Sequence, residues 1–193
     1  MVLFILFFLD RARFHDTTAP IADRTILGDA TESGLLRMAA QKLPDFDALG
    51  DRYPKVLEIP FNSETKWHLT IHMKKSSKGA LTLYMKGAPE RILKICSTIL
   101  IDGVARPLGE SEQAEFLSTY EWMAGKGHRV LAFAKLELDG SEFPEDFAFT
   151  KEPVNFPTVR IRMKASVPSF SIFFFFFPFN LLLTFPSPLF QFV

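Results

Sequence analysis

From Lys66 to Lys74 the chain alternates strictly, with Trp67, Leu69, Ile71 and Met73 on one side and Lys66, His68, Thr70 and His72 on the other. A period of two is that of a strand covered on one face and polar on the other. Ser76-Ser77-Lys78-Gly79 carries turn chemistry, after which Leu81, Leu83 and Met85 alternate against Thr82, Tyr84 and Lys86. The two runs predict an antiparallel hairpin. Lys55 to Phe61 predicts a strand ahead of it, ended by the loop Asn62-Ser63-Glu64; Ile99 to Leu108 predicts a second hairpin about Asp102-Gly103, and Arg129 to Leu138 a further strand. Helical spacing lies between. Leu35, Leu36, Met38 and Ala39 form an apolar stripe behind Gly28-Asp29-Ala30-Thr31-Glu32, where Asp29 is a capping candidate, Glu32 has capping-box spacing and Pro44 is the stop. Pro89 opens a short helix carrying Ile92, Leu93 and Ile95 toward Cys96, and Phe116, Leu117, Tyr120 and Met123 mark a longer one from Ser111 to the Gly125-Lys126-Gly127 stop. The segment 143–158 is Pro-rich and acidic and is expected to be irregular. These elements predict an α+β domain, an antiparallel sheet flanked by helices.

The 193 residues hold 22 basic and 22 acidic side chains, and a formal charge of zero argues against a nucleic-acid-binding surface. The distribution of that charge is more informative. All of it lies between Asp10 and Lys164, whereas the opening MVLFILFFL and everything from Ala165 onward carry none, and much of the Phe content falls after Ser166. The chain therefore divides into an apolar segment 1–9, a charged body 10–158, and a basic then Phe/Pro-rich tail 159–193. The first segment would be about 14 Å long as a helix, against a hydrocarbon core of about 30 Å. It lacks a basic n-region, and Asp10-Arg11-Ala12-Arg13 is a poor cleavage site, so a frayed end or a translation artefact is expected in preference to a signal peptide. The tail is long enough to span a membrane behind Arg160, Arg162 and Lys164, but Pro168, Pro178, Pro186 and Pro188 each remove a helical hydrogen bond that lipid cannot replace. Its Phe, Leu, Ser and Pro alphabet is that of pyrimidine-rich codons, and the expectation is untranslated sequence read in frame beyond about Thr158. A membrane segment and a disordered hydrophobic tail stay open as alternatives. One cysteine, Cys96, leaves no internal disulfide and no Cys-based zinc site.

His68 and His72 have the spacing of a helical zinc motif, but on a strand that spacing puts them about 13 Å apart, too far to share an ion. No Gly-x-Ser-x-Gly elbow, Cys/His pairing or Gly-Lys-Ser/Thr phosphate loop occurs. The remaining candidate is the polar side of the hairpin, where Lys66, His68 and Lys86 share a face and Phe61 lies on the loop entering it. Two ammonium groups on neighbouring strands repel unless solvent or an anion separates them, which makes the pair a candidate phosphate site; a solvated polar face is the plainer alternative.

Four ordered motifs carry a family resemblance: Gly28-Asp29-Ala30-Thr31-Glu32-Ser33-Gly34-Leu35-Leu36, Pro60-Phe61-Asn62-Ser63-Glu64-Thr65-Lys66, Met85-Lys86-Gly87-Ala88-Pro89-Glu90-Arg91-Ile92-Leu93 and Gly127-His128-Arg129-Val130-Leu131. Together they resemble the nucleotide-binding domain of P-type cation-transporting ATPases, in particular the alpha-subunit type of sodium/potassium and proton/potassium pumps. The resemblance implies that ATP is the ligand. It implies that Phe61 stacks on the adenine, Glu32 accepts from the exocyclic amino group, Lys66 and Lys86 line the pocket and approach the phosphates, Gly87 lets the backbone come close, and Arg129 meets the phosphate chain. His68 stands where these pumps usually carry a Gln; either side chain can hydrogen-bond the nucleotide, and His adds a charge that depends on pH. Plainer roles stand beside these: Glu32 as a capping-box residue, Phe61 as a core aromatic, Lys86 as an exposed strand end, Arg129 as a partner of Glu90.

In that family the nucleophile is the aspartate of an Asp-Lys-Thr-Gly-Thr motif, and magnesium is held partly by Thr-Gly-Asp-Gly in a separate phosphorylation domain. Neither motif occurs here. No catalytic residue and no metal ligand are therefore assigned, Mg2+ is expected only with the phosphorylation domain, and this chain is expected to bind ATP without turning it over. The resemblance also implies that the domain is incomplete on its N-terminal side, with exposed sheet edges and poor solubility, and that in an intact pump it lies on the cytoplasmic side of a membrane. Two other readings stand: a non-functional gene-model or pseudogene fragment that binds no ATP, and an accessory protein tethered to a membrane by its tail.

Overall fold

The computed structural model describes residues 7–9, 11–77, 79–101 and 104–156, with the backbone alone for 171–176. Lys78, the Asp102-Gly103 tip, residues 1–6, and the basic flank and prolines of the tail lie outside the described residues. The chain enters through a short ribbon in which β1 (Arg13–Phe14) pairs with β2 (Ile26–Leu27), and continues into α1 (Ala30–Lys42). A 3-10 turn (Phe46–Ala48) and α2 (Leu49–Arg52) lead to β3 (Lys55–Ile59), β4 (Trp67–Lys74) and β5 (Ala80–Gly87). Then come α3 (Pro89–Ile92) with a 3-10 extension (Leu93–Ile95), the hairpin β6 (Thr98–Ile101) and β7 (Val104–Pro107), α4 (Glu110–Gly125), β8 (Val130–Glu137) and β9 (Ser171–Phe176).

The sheet runs β3-β4-β5-β8-β9-β6-β7, and every pairing in it is antiparallel except β6 with β9. The architecture is α+β, as the alternation of elements predicts. The sequence pattern supplied no strand in the tail; β9 adds one, set between β8 and β6. Register in the central hairpin follows from the alternation, with Leu69 opposite Met85 and Ile71 opposite Leu83, because a slip of one residue would turn every one of these side chains to the other face. Local chemistry sets the helix starts. The Asp29 carboxylate accepts from the N–H groups of Thr31 and Glu32 at 2.8 and 3.0 Å, and Pro89 takes the first turn of α3, where its missing N–H costs nothing.

Both faces of the central strands β4, β5 and β8 are covered. One packs Leu69, Ile71, Leu83, Met85, Ala132 and Ala134 against Ile92, Leu93 and Phe116, and this is the main core. The opposite face was expected to be polar and solvated, and it is not. His68, Thr70, His72 and Lys86 retain only 1, 0, 5 and 7% of their exposure. The cover is Leu9, Phe8 and the apolar stripe of α1, namely Leu35, Leu36, Ala39 and Ala40. Burial of a polar face is tolerable only when its polar atoms find partners. The Phe8 carbonyl faces the Thr70 hydroxyl at 3.1 Å and His72 Nε2 at 3.2 Å, while His72 Nδ1 faces the Tyr53 carbonyl at 3.0 Å. The Phe8 ring lies 4.8 Å from that of Tyr84 and 4.5 Å from that of His72. The end of the apolar N-terminal segment thus closes the sheet like a plug.

Candidate functional site

The site is built where the start of α1, the ends of β3 and β5, and the start of β4 meet. Glu32 stands in the first turn of α1, and capping of that turn is done by Asp29. The Glu32 carboxylate is therefore free for other work, and it accepts from Lys86 Nζ at 2.7 Å and from the Arg11 N–H at 3.2 Å. Lys86 is directly opposite His68 in the β4–β5 register. His68 Nε2 reaches Glu58 Oε1 at 3.2 Å, and the same oxygen takes Arg11 Nε at 3.4 Å. Arg11 thus meets both carboxylates, Glu58 through its guanidinium and Glu32 through its backbone N–H, and closes a ring, Glu32, Lys86, His68, Glu58, Arg11, in which Lys86 and His68 are neighbours by strand register. At its edge Arg129 donates to the Thr31 hydroxyl at 3.0 Å. The alternative of Arg129 as a partner of Glu90 is replaced by this bond to the first turn of α1.

The electrostatics follow from burial. Loss of solvent, reinforced by the Lys86 ammonium, lowers the His68 pKa to about 4 against the pull of Glu58 and Glu32. The ring is neutral at neutral pH. Burial raises the Glu58 carboxyl, but Lys55, 2.8 Å away, together with His68 pulls it below its ordinary value, so it is ionised and can only accept. Nε2 of His68 then carries the proton, and Nδ1 is a bare acceptor that meets no hydrogen-bond donor among the described residues. A buried acceptor left so costs about 1 to 3 kcal/mol.

The backbone adds the second half of the site. Lys66 was expected on the strand face beside His68. It adopts φ 61°, a left-handed conformation that breaks the extended run, so strand alternation begins only at Trp67, and Lys66 is exposed. Its N–H donates to the Asn62 carbonyl at 2.7 Å, and its carbonyl accepts from the Ala88 N–H at 3.0 Å. This is why residue 87 is glycine: a Cβ there would sit 2.4 Å from the Lys66 carbonyl oxygen and 2.9 Å from Trp67 Cα. The loop 60–66 is thereby clamped to the end of β5, and on it Phe61 is 58% exposed, not packed as a core aromatic. Lys86 is likewise no exposed strand end, being buried on Glu32.

Of the sequence-predicted residues, the structure joins Glu32, His68 and Lys86 in one ring, sets Arg129 one residue from Glu32 through Thr31, and ties Gly87 to Lys66 through the backbone. Phe61 lies on the clamped loop. Arg11, Thr31 and Glu58 were not foreseen. For Glu58 the available signal was its place in the strand preceding the hairpin, with the same parity as the polar face. Among the described residues no group of three or more His, Cys, Asp or Glu side chains is placed to hold a metal ion, and no helix is long and apolar enough to cross a membrane.

This α+β arrangement, an antiparallel sheet flanked by helices, is consistent with a known class of cytoplasmic domain. The family model for the P-type ATPase cytoplasmic domain N matches residues 3–162, and the chain belongs to that family. It is 44% identical over 140 residues to the sodium/potassium-transporting ATPase subunit alpha of Tetronarce californica, covering 72% of this chain and 14% of that one. The potassium-transporting ATPase alpha chain 2 of Oryctolagus cuniculus is 42% identical over 157 residues, 80% of this chain and 14% of the relative. For the human sodium/potassium-transporting ATPase subunit alpha-2 the figures are 43% over 141 residues, 73% and 14%. The chain spans about 14% of the length of these curated relatives.

Proposed function

We propose that this chain binds ATP at the ring of charged side chains beside Phe61. The observation that supports it most is that Arg129 and Thr31, 98 residues apart, meet next to a Glu32–Lys86 pair drawn from a helix and a strand that share no sequence neighbourhood. Folding alone has little reason to hold a lysine here, since a buried ion pair is rarely more stable than apolar residues of the same volume. A ligand gives the reason. On ATP binding Lys86 exchanges the Glu32 carboxylate for phosphate, and Glu32 exchanges the ammonium for the exocyclic amino group of adenine, so that neither charge is left unpaired. Phe61 offers its exposed face to the base, and Arg129 and Lys66 add positive charge where the phosphates lie.

Turnover is assigned elsewhere. With no Asp-Lys-Thr-Gly-Thr motif in the 193 residues, the nucleophile, and the principal Mg2+ ligands with it, would come from the phosphorylation domain of a pump in which this domain presents the terminal phosphate and membrane helices carry the cation. The expected result is that ATP shifts the NMR signals of Phe61, His68 and Gly87 saturably, and that Phe61→Ala, which deletes the stacking surface, weakens binding by about tenfold. Shifts scattered over the β6–β7 hairpin with those three unmoved would count against the reading.

A further inference from the structure

Among the described strands, β9 comes from outside the charged body, yet it lies inside the sheet, between β8 and β6. It pairs antiparallel with β8 from Lys135↔Ser171 to Val130↔Phe176, and parallel with β6 only at Thr98↔Ser171 and Ile99↔Ile172. No ladder joins β8 to β6 directly. Removal of β9 therefore opens a slot with an unpaired backbone edge on each side and cuts the β6–β7 hairpin out of the ladder. The β8 wall of that slot has two apolar faces. Ala132 and Ala134 are fully buried in the main core, while Phe133 and Leu131 belong to the cluster beneath α1. A strand seated beside them is covered on both sides, and such strands read as continuous apolar runs. At one end Lys135, paired with Glu137, meets the first register position, where a polar residue fits. Ser171-Ile172 followed by the Phe run 173–177 has that pattern. A shift of the run by one place presents the same residue again, so the occupant's sequence specifies its register only weakly.

We propose that the slot between β8 and β6 is a strand-acceptor site, filled by the chain's own β9 and open, when β9 leaves it, to an extended apolar segment of another polypeptide. The segment it takes has a polar residue at the Lys135 end and runs antiparallel to β8. Main-chain hydrogen bonds along β8 supply the affinity, and the apolar faces exclude charged strands. β9 is the strand suited to exchange. Its hold on β6 is two pairs long, whereas β4 and β5 pair continuously from Trp67↔Gly87 to Lys74↔Ala80 and carry the main core on one face. The central hairpin therefore stays folded when the slot empties. This inference is independent of nucleotide binding.

The test uses the full chain carrying Phe174→Pro, which sets a residue without an N–H opposite Ala132 in the middle of β9. Amide hydrogen exchange followed by NMR should accelerate at least about tenfold at alternate positions within 130–135 and at 98–99, while Leu69, Ile71 and Leu83 keep their native rates. A synthetic peptide with Ser-Ile-Phe-Phe-Phe-Phe between lysine pairs should restore slow exchange saturably. The same peptide with proline as its fourth apolar-run residue counted from serine should not. Unchanged exchange in the folded variant, rescue by both peptides alike, or rescue by neither overturns the proposal. If Phe174→Pro does not fold, the native chain decides the matter. Amides of 171–176 that exchange at least about tenfold faster than those of Leu69 and Ile71 support a strand that leaves its slot, and exchange of both sets at one common rate overturns it.

Discussion

At the scale of the residue the most consequential pair is Glu32 and Lys86, both largely out of solvent. Removing one partner strands the other, so Lys86→Ala should lower stability in urea unfolding by about 3 kcal/mol, whereas the double variant Glu32→Gln/Lys86→Met should recover most of that loss. Gly87→Ala is a separate case. The added methyl meets the Lys66 carbonyl, a backbone atom that cannot turn aside, so the clamp on loop 60–66 must open. A loss of about 1 to 3 kcal/mol is expected, with ATP binding weakened beyond what the change in stability accounts for. His68 gives a pH dependence with a definite sign. Its folded pKa of about 4 lies below the ordinary 6.5, so the unfolded chain takes up the proton first. The His68 contribution is complete above about pH 6.5 and is lost as the pH falls toward 4, on the order of 3 kcal/mol in all, with His72 acting in the same direction. His68→Gln should flatten the fall in urea midpoint between those limits; an equal fall in both proteins would show that another group is responsible.

At the scale of the element, the strands were the most legible part of the sequence. The alternation of Trp67, Leu69, Ile71 and Met73 against His68, Thr70 and His72 names the two faces of the hairpin, since a slip of one residue would turn the first set away from the main core. The starts of α1 and α3 were legible for the same reason, because Asp29 and Pro89 act within a few residues of themselves. What alternation could not reveal was the cover over the polar side. That depends on Phe8 and Leu9, about sixty residues away, whose carbonyl and ring partners are visible only once the sheet exists. Lys66 was misplaced for a related reason: nothing in its neighbours announces the left-handed turn. If residues 7–9 are an integral plug, Phe8→Ala should cost about 3 to 5 kcal/mol, as for a core aromatic, and should raise susceptibility to limited proteolysis across α1. A change within about 0.5 kcal/mol would mean that the plug contributes little.

At the scale of the whole molecule, zero net charge describes a ring of paired acids and bases as well as a balanced surface. Part of the positive charge near the site is neutralised: Lys86 pairs with Glu32, and the Arg11 guanidinium with Glu58. This is why a candidate phosphate site was hard to see in the charge total, and why the ordered motifs around Glu32, Phe61, Lys86 and Arg129 were the signal that suggested it. The central claim is that this arrangement is held for a nucleotide. Calorimetric titration of ATP into the folded chain, beside the Lys86→Ala variant, addresses it most directly. Saturable binding at a single site, lost or weakened at least about tenfold in the variant, is the predicted result. The account is contradicted if the folded native chain takes up no ATP, or if binding is the same with and without Lys86.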